Sequence, residues 1–291
     1  MSTLNGPILM VASMAMFAVE DALIKTLSVS IPVGQVGILL GLGGVLVFGI
    51  LARFQGASLL TKQALRGAVL LRNVAEMFAV VFMLLGIALA PLSVVSAVLQ
   101  AMPLTVTLGA AVFLGELVGW RRWSAILFGF LGVLMIVRPG FASFDPYTLL
   151  PLGAVLTLTL RDLATRRVPD TVASLQLSGW GFAVVIPGGV LMMVLRGDVL
   201  VMPDATAWGL QALTLLAGIL GYSALVLATR TGDIGLTTPF RYSRLVFGML
   251  IGVTLFGERP DAMTLSGAAL IVVAGLYTLM REMRLSRARV N

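Results

Sequence analysis

The chain has 291 residues, of which 59% are hydrophobic and only 11% charged, with a mean hydropathy of +1.04. A soluble domain of this length could not bury so much apolar surface, so the composition predicts a membrane protein. Cysteine and histidine are absent, which excludes disulfides and the usual His/Cys metal sites, and the net charge of +7 comes from arginines between apolar segments, a pattern that argues against nucleic-acid binding.

Ten segments are apolar and long enough to cross a bilayer, which takes roughly 20 residues. Breaks between them fall where helices commonly stop, as at Ile31-Pro32, Ala90-Pro91 and Pro139-Gly140. The predicted fold class is therefore an all-α membrane protein with ten transmembrane helices. The predicted spans cover residues 7–27, 32–52, 67–89, 91–114, 122–138, 146–164, 171–195, 207–229, 234–256 and 262–282.

The basic residues between the spans predict the orientation of the chain. The segments on the same side as the two termini contain twelve of them: Arg53, Lys62, Arg66, Arg121, Arg122, Arg166, Arg167, Arg230, Arg281, Arg284, Arg287 and Arg289. The opposite loops contain four: Lys25, Arg138, Arg196 and Arg259. Because basic residues concentrate on the cytoplasmic side, both termini are predicted to be cytoplasmic, in a bacterial inner membrane.

One stretch of sequence occurs twice, at residues 90–138 and 232–280. Gly115-Glu116 aligns with Gly257-Glu258 at an offset of 142 residues (257 − 115). Each copy reads as an apolar helix, a Gly-Glu pair, a turn and a second helix rich in small residues. With five spans each, the halves enter the membrane from opposite sides, so residues 1–140 and 141–291 are predicted to be inverted five-helix repeats.

The repeat resembles the EamA repeat of the drug/metabolite transporter superfamily. The second copy departs from that pattern, since Leu245 stands where the first has Pro103 and its own proline, Pro239, comes earlier. The resemblance implies ten helices and secondary transport of small metabolites, and bacterial members similar to this chain include aromatic amino-acid exporters. The matching residues are Ala88, Ser96, Pro103, Gly115, Glu116, Gly129 and Gly132 in the first copy and Gly257, Glu258, Gly267 and Gly275 in the second.

Several charged residues lie inside predicted spans, where each costs about 2.5–3.5 kcal/mol unless it faces a partner or a cavity. Three pairs of opposite charge are four residues apart and could neutralise each other locally: Asp21 with Lys25, Arg72 with Glu76 and Asp162 with Arg166. The Arg72–Glu76 pair, deeper in its span, could equally take part in transport.

Glu20 and Arg244 have no neighbour of opposite charge on their own helix, which favours a position facing a cavity. Polar residues deep in spans add candidates, including Gln100, three residues before the kinking Pro103. Gly248-x3-Gly252 predicts close helix packing. The predicted substrate-binding or gating residues are Glu20, Arg72, Asn73, Glu76, Gln100, Tyr242 and Arg244.

These features predict a secondary transporter that works by alternating access and exports amino acids, aromatic or otherwise neutral. The expected partners are a small-molecule substrate and membrane lipid, with a monomer or weak homodimer as the assembly and no cofactor, metal or nucleic acid. Other solutes remain open: nucleotide sugars, cofactors or cationic drugs. An intramembrane enzyme or a channel are the alternatives from other classes, and the lack of histidine and cysteine argues against the enzyme.

Overall fold

A computed structural model of the chain describes residues 5–56, 58–115, 119–142, 144–169, 171–231 and 237–290. Within those ranges all regular structure is helical, and three short 3-10 segments (Lys62–Leu65, Pro146–Thr148 and Thr238–Tyr242) accompany the α-helices. The α-helices are α1 (Asn5–Leu27), α2 (Val33–Phe54), α3 (Gly67–Leu89), α4 (Leu92–Leu99), α5 (Met102–Phe113), α6 (Trp120–Val137), α7 (Leu149–Thr165), α8 (Ser174–Arg196), α9 (Ala205–Thr231), α10 (Ser243–Phe256) and α11 (Ala262–Val290).

Most helices follow the predicted spans to within about three residues, whereas α11 continues to Val290, eight residues beyond the predicted end at 282 (290 − 282). Nine helical segments in the described part of the chain are long and apolar enough to cross a membrane. The predicted ninth span, 234–256, begins outside the described residues and continues as Thr238–Tyr242 and α10. The multi-pass helical architecture is thus confirmed, while ten spans and an inverted relation of the repeats stay predictions.

The predicted fourth span is broken near its middle, as Pro103 suggested. α4 ends at Leu99 and α5 begins at Met102, with Pro103 in the first turn of α5. A proline ring cannot donate to the carbonyl four residues earlier, so one regular helix cannot continue through this point. In the second repeat, Pro239 lies in the 3-10 segment that precedes α10, so the regular α-helix begins only at Ser243.

The described helices form two compact units, and each unit takes residues from both sequence repeats. The first unit comprises residues 1–22, 90–149 and 217–291, and the second comprises 23–89 and 150–216. Helices α4, α5, α6, α10 and α11 therefore belong to the first unit, and α2, α3, α7 and α8 to the second. Helices α1 and α9 contribute to both.

In each unit, glycines bring two helices of the two repeats into backbone contact. In the second unit, a Cβ on Gly34 of α2 would lie 2.6 Å from the carbonyl oxygen of Gly189 in α8. In the first unit, a Cβ on Gly132 of α6 would lie 2.6 Å from the oxygen of Gly267 in α11, and the reverse distance is also 2.6 Å. Real Cβ atoms do not approach so closely, so only glycine permits this packing, which is typical of membrane helices.

An exposed ion pair joins the ends of α6 and α11 in the first unit. The Arg138 guanidinium donates to the Asp261 carboxylate and, at 3.1 Å, to Thr264 Oγ1. The backbone N–H of Thr264 also donates to Asp261 Oδ1 at 2.9 Å, so Asp261 caps the start of α11. The Arg138 hydrogen bond, helped by this backbone bond, holds the pKa of Asp261 well below its usual range.

This depressed pKa predicts how stability depends on pH. Because the folded-state pKa lies below the unfolded one, Asp261 stabilises the fold fully above the unfolded value and loses that effect as pH falls through the folded value. Asp261→Asn should therefore lower the melting temperature at neutral pH by a small amount, since the pair is exposed. The difference from wild type should shrink in acid, as followed by thermal unfolding of the purified protein. A difference independent of pH would contradict the linkage.

Candidate functional site

Arg244 has no opposite charge nearby on its own helix, but it has an acidic partner on a helix far away in sequence. Arg244 Nη2 donates to Asp21 Oδ2 of α1 at 2.7 Å, across 223 residues of sequence. The Asp21 side chain is only 5% exposed and the Arg244 side chain 21%. The Arg244 guanidinium also lies over the Phe17 ring, 5.4 Å from its centroid. A charge-assisted pair of this kind satisfies two groups that the bilayer would otherwise penalise.

Glu20, next to Asp21, lies beside this pair and interacts electrostatically with both of its members. Its carboxylate lies against Gly218 of α9, where a Cβ would come within 2.7 Å of Oε1. Within the described residues, nothing donates a hydrogen bond to Glu20 and no basic side chain forms an ion pair with it. We call Phe17, Glu20, Asp21 and Arg244 the α1–α10 cluster. With all three ionisable groups charged, it carries one uncompensated negative charge.

A second group of charges connects α3 and α7 within the other unit. Glu76 lies 3.6 Å from Arg72 and 3.1 Å from Arg161, and Arg161 in turn lies 2.8 Å from Asp162. Arg72 also donates to Asn73 Oδ1 at 3.0 Å, and Asn73 Nδ2 donates to the carbonyl of Ala64. These residues form the α3–α7 network. Two arginines balance two carboxylates, and hydrogen bonds accompany each charge, as expected of a structural network.

The predicted neutralisation of charges four residues apart is correct for one pair only. Arg72 and Glu76 do pair along α3. Asp21 instead takes its counter-charge from Arg244, and Lys25 Nζ donates to the carbonyl of Ile87 at 3.2 Å. Asp162 takes its counter-charge from the adjacent Arg161. A helix places residues four apart within reach, but a residue on another helix, as for Asp21, or the adjacent residue, as for Asp162, can take the contact instead.

The remaining predicted site residues, Gln100 and Tyr242, are buried in the first unit. Gln100 Nε2 donates to the carbonyl of Ser96 at 3.2 Å. The hydroxyl of Tyr242 packs against Gly275, and both this hydroxyl and Ser96 Oγ are buried without a hydrogen-bond partner in the described part of the chain. Buried polar atoms without partners are rare and mark places where a bound polar molecule or water could lie.

The structure therefore divides the predicted site residues into groups. Glu20 and Arg244 come together on α1 and α10, whereas Arg72, Asn73 and Glu76 belong to the α3–α7 network. The predicted site omitted Phe17, Asp21 and Arg161, although Asp21 and Arg161 are ionisable residues inside spans and could have been included on that signal. Within the described residues, no three His, Cys, Asp or Glu side chains are placed to hold a metal ion.

Comparison with known families agrees with the paired repeats. The model of the EamA-like transporter family matches residues 4–138 and again residues 146–280. The chain belongs to the EamA-like transporter family. The two matches begin 142 residues apart (146 − 4), the same offset that aligns the two Gly-Glu pairs.

Curated relatives of this EamA-like protein are named as transporters of several solutes. A riboflavin transporter of Rhizobium johnstonii is 32% identical over 69% of this chain and 66% of its own length. An S-adenosylmethionine uptake transporter of Rickettsia felis is 25% identical over 73% of this chain and 71% of its own. A pseudopaline exporter of Pseudomonas aeruginosa is 28% identical over 93% of this chain and 94% of its own. The riboflavin transporter is thus matched over about two thirds of its length.

One crystal structure covers 98% of this chain and 99% of its own chain with a TM-score of 0.60 at 21% identity, which shows the shared fold. Together these findings show a multi-pass membrane protein of a family whose named members transport small molecules. The resemblance to aromatic amino-acid exporters is not supported, because the relatives described above are named for riboflavin, S-adenosylmethionine and pseudopaline.

Proposed function

We propose that this EamA-like protein is a secondary transporter that moves a small organic metabolite across the bacterial inner membrane by alternating access. The single observation that carries the proposal is the ion pair between Asp21 and Arg244. It joins α1 of the first repeat to α10 of the second, inside the spans 7–27 and 234–256 predicted from the sequence. Ionisable residues at such positions commonly mark solute pathways. Paired repeats are also a common architecture of secondary transporters.

The α1–α10 cluster favours a solute that carries both an acidic and a basic group. Arg244 keeps a buried Nε without an acceptor among the described residues, so its guanidinium has donor capacity beyond Asp21. A guanidinium can hold a carboxylate through two parallel hydrogen bonds. The Glu20 carboxylate receives no hydrogen bond from any of the described residues, so it can accept hydrogen bonds from an ammonium group of the solute. An amphoteric solute would therefore satisfy both residues at once.

An amino acid is one such solute, and its export is the specific form of the proposal that the sequence suggested. The second candidate is riboflavin or another neutral ring system, which the similarity to riboflavin transporters favours. The named relatives include both uptake transporters and an exporter, so the direction of transport belongs to the proposal as well.

Counterflow in proteoliposomes tests the proposal. The purified chain is reconstituted with an unlabelled solute inside, and uptake of the same labelled solute is followed for phenylalanine, S-adenosylmethionine and riboflavin in parallel. We expect saturable uptake above that of protein-free liposomes for an amphoteric member of the panel. Flux that rises linearly with concentration would indicate a channel. Saturable uptake of riboflavin alone would favour the second candidate.

The proposed orientation makes a prediction of its own, based on the twelve-to-four distribution of basic residues between the two sides. Reporter fusions placed after Arg230 and after Asn291 should both show cytoplasmic activity. A fusion in the loop that contains Arg196 should show periplasmic activity and serves as the control. A periplasmic signal at either of the first two positions would contradict ten spans with inverted repeats.

A further inference from the structure

The repeated Gly-Glu pair has a definite role in its second copy. Gly257 ends α10 in the left-handed conformation, with φ of 63°, and its N–H donates to the carbonyl of Gly252. The N–H of Glu258 donates to the same oxygen at 2.9 Å. This compact helix end turns the Glu258 side chain back over Gly252, where a Cβ would come within 2.5 Å of Oε2. The Gly-Glu motif therefore directs the Glu258 carboxylate towards the helix that packs beside the end of α10.

The neighbour of this carboxylate is the start of α4. Glu258 Oε1 accepts from the backbone N–H of Leu92 at 2.5 Å, and Oε2 accepts from that of Ser93 at 2.8 Å. The residue before the helix is Pro91, which has no side chain that could cap these amides. A carboxylate at a helix N-terminus satisfies free N–H groups and compensates the positive end of the helix dipole. Glu258 thus caps a helix 165 residues away in sequence.

Small residues also lie in the α4–α10 contact, where Gly252 approaches Ser93 and Gly248 approaches Ser96. The helices run antiparallel, because Gly252 lies beside Ser93 while Gly248, one turn earlier in α10, lies beside Ser96. A glycine surface carries no interlocking side chain, so it can separate and close again without repacking. The hydrogen bonds that Glu258 accepts from Leu92 and Ser93 are a charged contact at this end of the helix pair. Arg244, in the first turn of α10, lies towards the other end.

We propose that Glu258 is a reversible clasp: its two hydrogen bonds to the backbone of α4 hold the ends of α4 and α10 together and so close one route to Arg244. Release of the clasp lets the two helices separate along their small-residue contact. Glu258 is then a positioning residue for transport, one that does not touch the solute. This inference rests on the proposed transport function and adds to it the residue that controls access from one side.

Cysteine labelling measures the clasp without any solute. The natural chain has no cysteine, so a single Ser93→Cys variant gives one labelling position. Ser93 is 2% exposed and joins the clasp through its backbone N–H, which the substitution keeps. The rate of reaction with N-ethylmaleimide is measured for the full chain in liposomes, with and without Glu258→Ala. We expect the rate to rise about tenfold or more when the two hydrogen bonds are lost.

Two further substitutions separate the reach of the side chain from its charge. Glu258→Gln keeps one oxygen acceptor and should give an intermediate labelling rate. Glu258→Asp keeps the charge but is one methylene shorter, so it should label almost as fast as Glu258→Ala. Asp261→Asn is the matched control, because it removes a carboxylate three residues away that pairs with Arg138 rather than with α4. It should leave the rate at Ser93→Cys unchanged.

A purely structural role would give a different result. Ala125, 4% exposed, packs with Leu104 of α5 and Ala274 of α11, so Ala125→Cys reports general loosening of the same unit. A clasp predicts faster labelling at Ser93→Cys alone when Glu258 is removed. A parallel rise at both positions, or no rise at Ser93→Cys, would overturn the proposal.

Counterflow with the Glu258 variants then relates the clasp to transport. We expect Glu258→Ala to reduce solute exchange strongly while Asp261→Asn retains it. Normal exchange by Glu258→Ala would also overturn the role in transport. If wild-type protein exchanges no solute, the proposed function fails, yet the labelling experiment still reports whether Glu258 holds the two helices together.

Discussion

Arg244→Ala is expected to abolish solute exchange and to destabilise the protein. Asp21 would lose its ion-pair partner while its side chain remains 5% exposed inside a membrane span. Breaking a buried ion pair by removing one member costs about 3–5 kcal/mol, because the other charge is left uncompensated. The melting temperature of purified protein and the counterflow rate per mole of folded protein measure the two effects separately. The sequence analysis found no opposite charge beside Arg244 on its own helix, so the loss of stability is expected only from the contact with Asp21.

The double variant Asp21→Asn with Arg244→Ala separates binding from stability. It removes both charges, so it should recover most of the stability lost in Arg244→Ala while transport stays absent. Arg244→Lys should recover transport only in part, because an ammonium group cannot reproduce a two-pronged contact with a carboxylate. Full transport by the double variant would show that the ion pair serves the fold alone.

Glu76→Gln is expected to have the second largest effect, on stability rather than on transport. The Glu76 carboxylate, 14% exposed, pairs with both Arg72 and Arg161. An amide would leave these two arginines with less compensation, so a loss of about 3–5 kcal/mol is expected, as for other broken buried pairs. Thermal unfolding and the amount of protein in the membrane measure this loss. Counterflow per mole of folded protein should stay near wild type.

Two control variants show whether the loss of stability comes from the buried pairs of Glu76. Asp162→Asn should cost less, because Asp162 is 33% exposed and pairs with its neighbour Arg161. Exchanging Arg72 and Glu76 should not restore stability, because the new arginine at position 76 would face Arg161. A pair that only neutralised charge along α3 would instead regain its stability after this exchange. A stable Glu76→Gln variant without transport would instead place the network in the transport pathway.

The spans were predictable because each property that defines them is local. Hydrophobic length, proline breaks and the Gly-Glu pairs can all be read within a window of about 20 residues. The predicted span 67–89 coincides with α3, and the break near Pro103 lies between α4 and α5. The family resemblance was also predictable, because the repeat carries its own motif.

The charge partners that lie on other helices were not predictable, because they depend on which helices pack together. Asp21 and Arg244 are 223 residues apart, and Arg161 and Glu76 are 85 apart. The spacing rule for helices considers only neighbours on one helix, so it could not find these contacts. The role of Glu258 was hidden for a further reason. Its partners are backbone N–H groups, which every residue except proline has, so no side chain in the sequence points to them.

Equilibrium binding of the solute identified by counterflow tests most directly whether the α1–α10 cluster binds that solute. The dissociation constant Kd is measured for wild type, for the double variant Asp21→Asn with Arg244→Ala, and for Asp162→Asn as the control outside the cluster. If the α1–α10 cluster binds the solute, the double variant should bind about tenfold or more weakly, a change of about 1.4 kcal/mol. Asp162→Asn should match wild type. An unchanged Kd in a folded double variant would contradict the account and place the solute elsewhere.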